Sequence, residues 1–261
     1  MPDGVTAMGR AAGPVRLVGA GPGDPDLMTV RARRLVETAE AVVFDRLVAE
    51  EIMALVPRGA LRLDVGKAPG RHRLEQPQIN ALLVELARSG LEVVRLKGGD
   101  PFTFGRGGEE AEHLRRHGIP VEVVPGVTSA AGCAAAIGVP LTHRGLASGV
   151  RYVTGHCQGG ADVELDWAGL ADPDTTLVVY MGLGQIGRIA GRLVAAGLPA
   201  STPVAAVQSG TTPRQRHLVA TLGTAAEAAA GLGGGGPVLF IVGRVVALAP
   251  AGEAYRASAP A

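Results

Sequence analysis

The chemistry-bearing residues of this chain collect in glycine-rich stretches. The first, Gly19-Ala20-Gly21-Pro22-Gly23-Asp24, directly follows an apolar run. Glycine lacks a Cβ, so a ligand can approach the peptide closely, and loops at the C-terminal ends of strands are where α/β sheets bind ligands. Three readings fit this stretch: a ligand loop, a structural turn, or a dinucleotide site in which Asp45, closing AVVFD, takes the ribose. The dinucleotide fingerprint wants a third glycine where Asp24 stands, and Pro22 and Pro25 stiffen the turn instead of opening a helix. A second stretch runs from Lys97-Gly98-Gly99-Asp100-Pro101-Phe102-Thr103 through Arg106 to Glu110. It is too long for a mere connector, and it lacks the spacing of a phosphate-cradling loop. Gly98 to Asp100 offers bare backbone and one carboxylate, suited to a ligand with amide-like donors and a positive centre. Two shorter turns, Met181-Gly182 and Gly210-Thr211-Thr212, follow the apolar runs TLVVY and VAAVQS.

Cations stand beside these stretches: Arg46, Lys67, Arg71, Lys97, Arg106, Arg144 and Arg151. Singly, each reads as solvated surface. As a set they could grip a multiply anionic substrate, because the guanidinium fork matches a carboxylate in geometry and charge. His113 and His117 have helical i,i+4 spacing, but HLRRH lacks the glutamate of a zinc-protease helix, and no metal is expected. Cys133 and Cys157 belong to no CxxC pattern, which argues against a zinc site and a disulfide scaffold and fits a reducing cytoplasm. The formal net charge of +1 provides no global basic field of the kind that binds nucleic acid. No secretory signal is apparent, and no run approaches the ~18 apolar residues of a membrane span.

Short apolar runs alternating with amphipathic stretches must position these loops. Strands are expected at Val15 to Ala20, Ala41 to Phe44, Leu61 to Val65, Leu91 to Leu96, Val121 to Val124, Arg151 to Thr154, Thr176 to Tyr180, Val204 to Val207 and Val238 to Val242. HLVATL at 217 to 222 alternates like a hairpin strand, so the second half is expected to hold a mixed sheet. Ile79, Leu82, Leu83 and Leu86 recur at helical spacing between Pro77 and Gly90, and a second helix closes at Gly118. The pattern implies two α/β domains, residues 15–126 and 127–248, with flexible tails at 1–14 and 249–261 and a small-molecule cleft between the domains. The composition, 47% hydrophobic but only 3% aromatic, requires a core of aliphatic side chains.

The chain resembles the uroporphyrinogen-III C-methyltransferases, within the wider tetrapyrrole methyltransferases, from about Val15 to Leu248. The carriers are VGAGPGDPDLMT, VVFDRLV, GKAPGRH, VVRLKGGDPFTFGRGGEE, VVPGVTSAAG, GVPLTHR, TGH, LVVYMGL, GTTPRQR and VGRVVAL. GAGPGD is shared by the wider group, whereas GGDPFTFGRGGEE with PLTHR is more specific. The resemblance implies a tetrapyrrole methylase fold and not a Rossmann methyltransferase. It implies S-adenosylmethionine contacts at Pro22, Gly98, Gly99, Asp100, Thr103, Thr128, Ser129, Met181 and Gly210. It also implies Asp45 as proton acceptor, Lys67 as proton donor, uroporphyrinogen III as substrate and a homodimer. The substrate's carboxylates would then give Arg46, Arg106, Arg144 and Arg151 a purpose. The sequence departs from the usual pattern at Ala68-Pro69, at EQPQIN, at Thr103 and at Gly145-Leu146.

With only a short tail before the first strand, a single activity is expected. A later precorrin is the nearest alternative substrate. From other classes, a nucleotide-dependent oxidoreductase would bind NAD, and a non-catalytic ligand-binding module would bind the cofactor without turnover.

Overall fold

In the first half, five apolar segments pair side by side as parallel strands: β1 (Val15–Gly19), β2 (Ala41–Phe44), β3 (Leu61–Asp64), β4 (Val93–Lys97) and β5 (Val121–Val124), in the order β3-β2-β4-β1-β5. The computed structural model describes residues 11–66, 74–156, 164–232 and 235–250. A parallel sheet must be covered on both faces, because its crossovers put helices there. Here α1 (Val30–Glu37) and α2 (Glu50–Met53) cover one face through Ala32, Val36 and Ile52. On the other, α3 (Gln76–Arg88) and α4 (Gly107–Arg116) contribute Ile79, Leu83, Ala111 and Leu114. All five residues of the central β4 are buried. The order also sets this sheet apart from a Rossmann domain: β4 is inserted between β2 and β1, whereas a dinucleotide fold keeps its first two strands adjacent.

The second sheet has the order β6-β7-β10-β8-β9, from β6 (Gly149–Thr154), β7 (Thr175–Tyr180), β8 (Pro203–Gln208), β9 (Arg216–Thr221) and β10 (Val238–Val242). β6 and β7 run parallel and the remaining pairs are antiparallel, so the sheet is mixed. One face carries α7 (Ile186–Ala195) and α8 (Ala225–Ala230), with the short α6 (Trp167–Leu170) beside α7. The other carries α5 (Ser129–Ala136), whose Ala130, Cys133 and Ala134 are small enough to lie close to Val178, Ala205 and Ile241.

By its contacts the chain divides into two units, one of residues up to Ala20 with Met28–Gly126, the other of Gly21–Leu27 with the residues from Val127. The expected boundaries placed Gly21–Leu27 in the first domain, and the contacts place it in the second. Its Pro22 covers Gly132, where a Cβ would come within 2.7 Å of Pro22 Cβ, and the Asp24 N–H donates to Thr211 Oγ1 at 3.2 Å. The expected tail of residues 1–14 is anchored at its end: Gly13 N–H donates to Ala87 O at 2.8 Å and Ala12 packs on the core.

Candidate active site

In the first unit, the ends of β1, β4 and β5 converge on three glycines. A Cβ on Gly19 would lie 2.5 Å from Gly126 N and 2.7 Å from Gly99 O, so only bare backbone fits. Asp100 then shapes the loop behind β4. Its Oδ1 accepts from Phe102 N at 2.9 Å, Thr103 N at 3.1 Å and Thr103 Oγ1 at 3.3 Å, while Oδ2 accepts from Gly126 N at 3.2 Å. Four donors occupy the roughly four lone-pair positions of a carboxylate. The expectation that this carboxylate faces a ligand's positive centre is thereby corrected: its acceptor positions are taken up in organising the loop. Further on, Phe104 (φ 52°) and Arg106 (φ 59°) are left-handed. Arg106 grips Glu109 in a two-pronged bond, Nε to Oε1 at 2.9 Å and Nη2 to Oε2 at 2.7 Å. That bond raises the guanidinium's pKa and lowers the carboxyl's.

Asp45 follows β2 and differs from Asp100 in having acceptor capacity to spare. Among the described residues Oδ1 accepts from Leu47 N at 3.1 Å, and Oδ2 lies 3.5 Å from Arg95 Nη2, with the side chain 26% exposed. Arg46 beside it is exposed. Lys67 and Arg71 lie outside the described residues.

In the second unit, α5 starts at Thr128, whose hydroxyl makes no bond to the helix. It lies 2.6 Å from Tyr180 Oη, and that phenol accepts the Ala130 N–H at 3.0 Å. Burial raises the Tyr180 pKa, and the bonds from Thr128 and Ala130 oppose the shift. Ser129 occupies the first helical position, and Met181, left-handed at φ 53°, follows Tyr180 and stands half exposed. Gly210 lies between the left-handed Ser209 (φ 48°) and Thr211 (φ 64°). Its absent Cβ leaves room for Cys133 Sγ, and Thr211 N–H donates to Gln215 Oε1 at 2.7 Å.

A profile of the tetrapyrrole (corrin/porphyrin) methylases matches residues 14–226. The chain belongs to the tetrapyrrole methylase family. Among relatives, the uroporphyrinogen-III C-methyltransferase of Paracoccus denitrificans (strain Pd 1222) is 54% identical over 247 residues, covering 95% of this methylase and 86% of that protein. The siroheme synthase of Azotobacter vinelandii (strain DJ) is 55% identical over 239 residues, so this methylase spans 51% of that longer chain. The crystal structure of uroporphyrin-III C-methyl transferase from Thermus thermophilus complexed with S-adenyl homocysteine superposes with a TM-score of 0.76 at 46% identity, covering 90% of this chain and 93% of that one.

Of the five non-glycine residues with positive φ among those described in the methylase, Phe104, Arg106, Met181 and Thr211 lie in the loops singled out from glycine content, and Ser209 directly precedes one of them. Residues held in this uncommon conformation cluster at functional sites. Two expected substrate-binding cations are placed otherwise. Arg151 sits mid-strand on the face that buries Val153, opposite the face of Tyr152 and Tyr180, and donates to Gly169 O. The two-residue alternation of a strand puts it on the sheet face opposite Tyr152 and Tyr180. Lys97 is no surface cation: it is 4% exposed and bonded through Nζ to both Glu110 oxygens, at 3.0 and 3.1 Å. Burial, then the neighbouring Arg95 charge, holds its pKa below the lysine value against Glu110 and Asp45. Arg144 is exposed on the turn bridged by His143 and Ala147.

Sequence reading missed Tyr180, Arg95 and Glu110. The legible signal for the last two was RLK at the end of an apolar strand, with a carboxylate on the following helix to balance it. Among the described residues no three His, Cys, Asp or Glu side chains gather at one place. His113 and His117 stack with ring centroids 4.3 Å apart on a helix surface.

Proposed function

We propose that this methylase transfers methyl groups from S-adenosylmethionine to C2 and C7 of uroporphyrinogen III, giving precorrin-2 and S-adenosylhomocysteine. The observation that carries the reading is the 54% identity to the Paracoccus enzyme of that name over 95% of this chain and 86% of that one. The Thermus relative, in complex with S-adenyl homocysteine, supports the donor.

The residues present fit such a donor. The loops offer hydroxyls from Thr103, Thr128 and Ser129, the half-exposed thioether of Met181 and the ring of Pro22, with the glycines Gly98, Gly99 and Gly210 letting their chains pack closely around them. S-adenosylmethionine supplies an already activated methyl on a sulfonium, so no metal is required. The protein's part is to hold an electron-rich pyrrole carbon in line with that methyl, and such positioning is a large share of catalysis for two bound reactants. Asp45, partly exposed and with lone pairs to spare among the described residues, takes the proton that the macrocycle must shed. Lys67 as proton donor rests on the resemblance. Arg46, Arg106 and Arg144 are the exposed cations assigned to the substrate carboxylates, and Arg151 is withdrawn from that set.

A homodimer in the cytoplasm belongs to the same proposal, and light scattering of the purified protein tests the oligomer. Among the described residues no helix is long and apolar enough to cross a membrane. The deciding assay is anaerobic incubation with uroporphyrinogen III and methyl-labelled S-adenosylmethionine, with the product read by mass spectrometry. Two added methyls are expected. Donor binding without transfer would redirect the substrate to a later precorrin, and no donor binding would overturn the reading.

A further inference from the structure

Arg95 and Lys97 stand two residues apart on β4, so both point to the face covered by α3 and α4. The residues in register with Arg95 on the flanking strands are Leu17 and Val43. An apolar side chain would suit that position, and a buried ion pair stabilises a fold no better than well-packed apolar residues do. The charges nevertheless form a closed set. Glu110 Oε1 accepts from Arg95 Nε at 3.2 Å, Lys97 Nζ at 3.0 Å and Gln76 Nε2 at 3.0 Å. The side chains of Arg95, Lys97 and Glu110 are 4%, 4% and 0% exposed.

This sealed cluster has a partly exposed member, Asp45, reached through Arg95 Nη2 at 3.5 Å from Oδ2. The guanidinium is a rigid plane. With Nε on Glu110 and Nη1 on the carbonyls of Val43 (3.4 Å) and Leu96 (3.2 Å), Nη2 is left one place to point.

We propose that Arg95 is a positioning residue for methyl transfer, fixing the Asp45 carboxylate through Oδ2 while the Leu47 N–H holds Oδ1, so that Asp45 meets the macrocycle in one orientation. Lys97 and Glu110 anchor Arg95 in turn. The inference rests on the reading of Asp45 as proton acceptor. Arg95→Met leaves Lys97 and Glu110 as a balanced pair and fills the space with an apolar side chain, so the fold is expected to persist.

The test is a double-mutant cycle of Asp45→Asn and Arg95→Met, with Arg95→Lys alongside, assayed for kcat and KM on uroporphyrinogen III, donor affinity and Tm. Arg95→Met should lower kcat about 10- to 100-fold, the scale of a small misplacement of a reacting group, with donor affinity and Tm near wild type. Arg95→Lys keeps the charge without the fork and should recover only part of the rate; if Arg95→Met does not fold, it supplies the kcat comparison. The double variant should be no slower than Asp45→Asn alone, since Arg95 then has nothing to position. Wild-type kcat in Arg95→Met and Arg95→Lys, or a double variant slowed by a further factor, overturns the proposal. A fully active Asp45→Asn overturns both readings and is recognised because that single variant alone reveals it.

Discussion

The Tyr180 phenol and the Thr128 hydroxyl lie 2.6 Å apart, and through this contact the end of β7 fastens the start of α5. A helix leaves its first peptide N–H groups without partners, and a Thr in the capping position ordinarily satisfies one itself. Here the phenol does so, accepting the Ala130 N–H at 3.0 Å. Thr128 and Ser129, both assigned to the donor, are thus held by a residue from another strand.

Tyr180→Phe keeps the ring and removes that acceptor. It should lower stability by about 1 kcal/mol, the usual worth of a helix cap, as a reduced urea midpoint with unchanged m-value. Donor affinity measured by calorimetry should fall as well, because Thr128 and Ser129 lose their anchor.

Cys133 makes the protein sensitive to alkali. Burial raises its thiol pKa to about 12 from 9.0. Above pH 9 the unfolded chain gives up this proton while the folded chain keeps it, so the unfolded state binds fewer protons and stability falls as pH rises. The slope should be about 1.4 kcal/mol per pH unit between 9 and 12. Urea melts across this range should show it, and Cys133→Ala should remove this component of the slope. Peptide mapping after iodoacetamide treatment of the native protein at pH 8 should find Cys133 unlabelled.

Asp100→Asn should damage donor binding through the loop. The amide turns an NH2 toward a peptide N–H that the carboxylate accepted, either Gly126 or the pair Phe102 and Thr103. One unsatisfied donor costs about 1 to 3 kcal/mol, and the urea midpoint and the donor Kd should both worsen. Wild-type values of both would show that the loop holds its shape without the charge.

Arg106→Ala separates stability from substrate affinity. The Arg106 and Glu109 side chains are 45% and 56% exposed, and such a pair contributes about 0 to 1 kcal/mol, so Tm should hardly move. If Arg106 grips a substrate carboxylate, KM for uroporphyrinogen III should rise about 10-fold or more, as for loss of a charge-assisted hydrogen bond, with donor affinity intact.

Much of this protein was legible in its residues because the signals are local. Apolar runs mark the strands, among them Ala41–Phe44 between two acids, Val121–Val124 between two prolines and Val238–Val242 between a proline and a glycine, which form over the same residues as expected. Gly90 and Gly118 end α3 and α4 with φ of 83° and 71°, as residues that tolerate the left-handed conformation do. The glycine loops marked the backbone later found in left-handed geometry. Only the tertiary structure decided what depends on pairing between distant segments. Strand order put β4 at the centre of its sheet, and that burial made Arg95 and Lys97 partners of Glu110 instead of surface cations. Packing of Pro22 on Gly132 assigned Gly21–Leu27 to the second unit, and alternation along β6 put Arg151 on the face opposite Tyr152 and Tyr180, bonded to the Gly169 carbonyl. A sequence states each residue's chemistry and local period; which charges meet, and which carboxylate keeps free lone pairs, is settled when distant strands and helices come together.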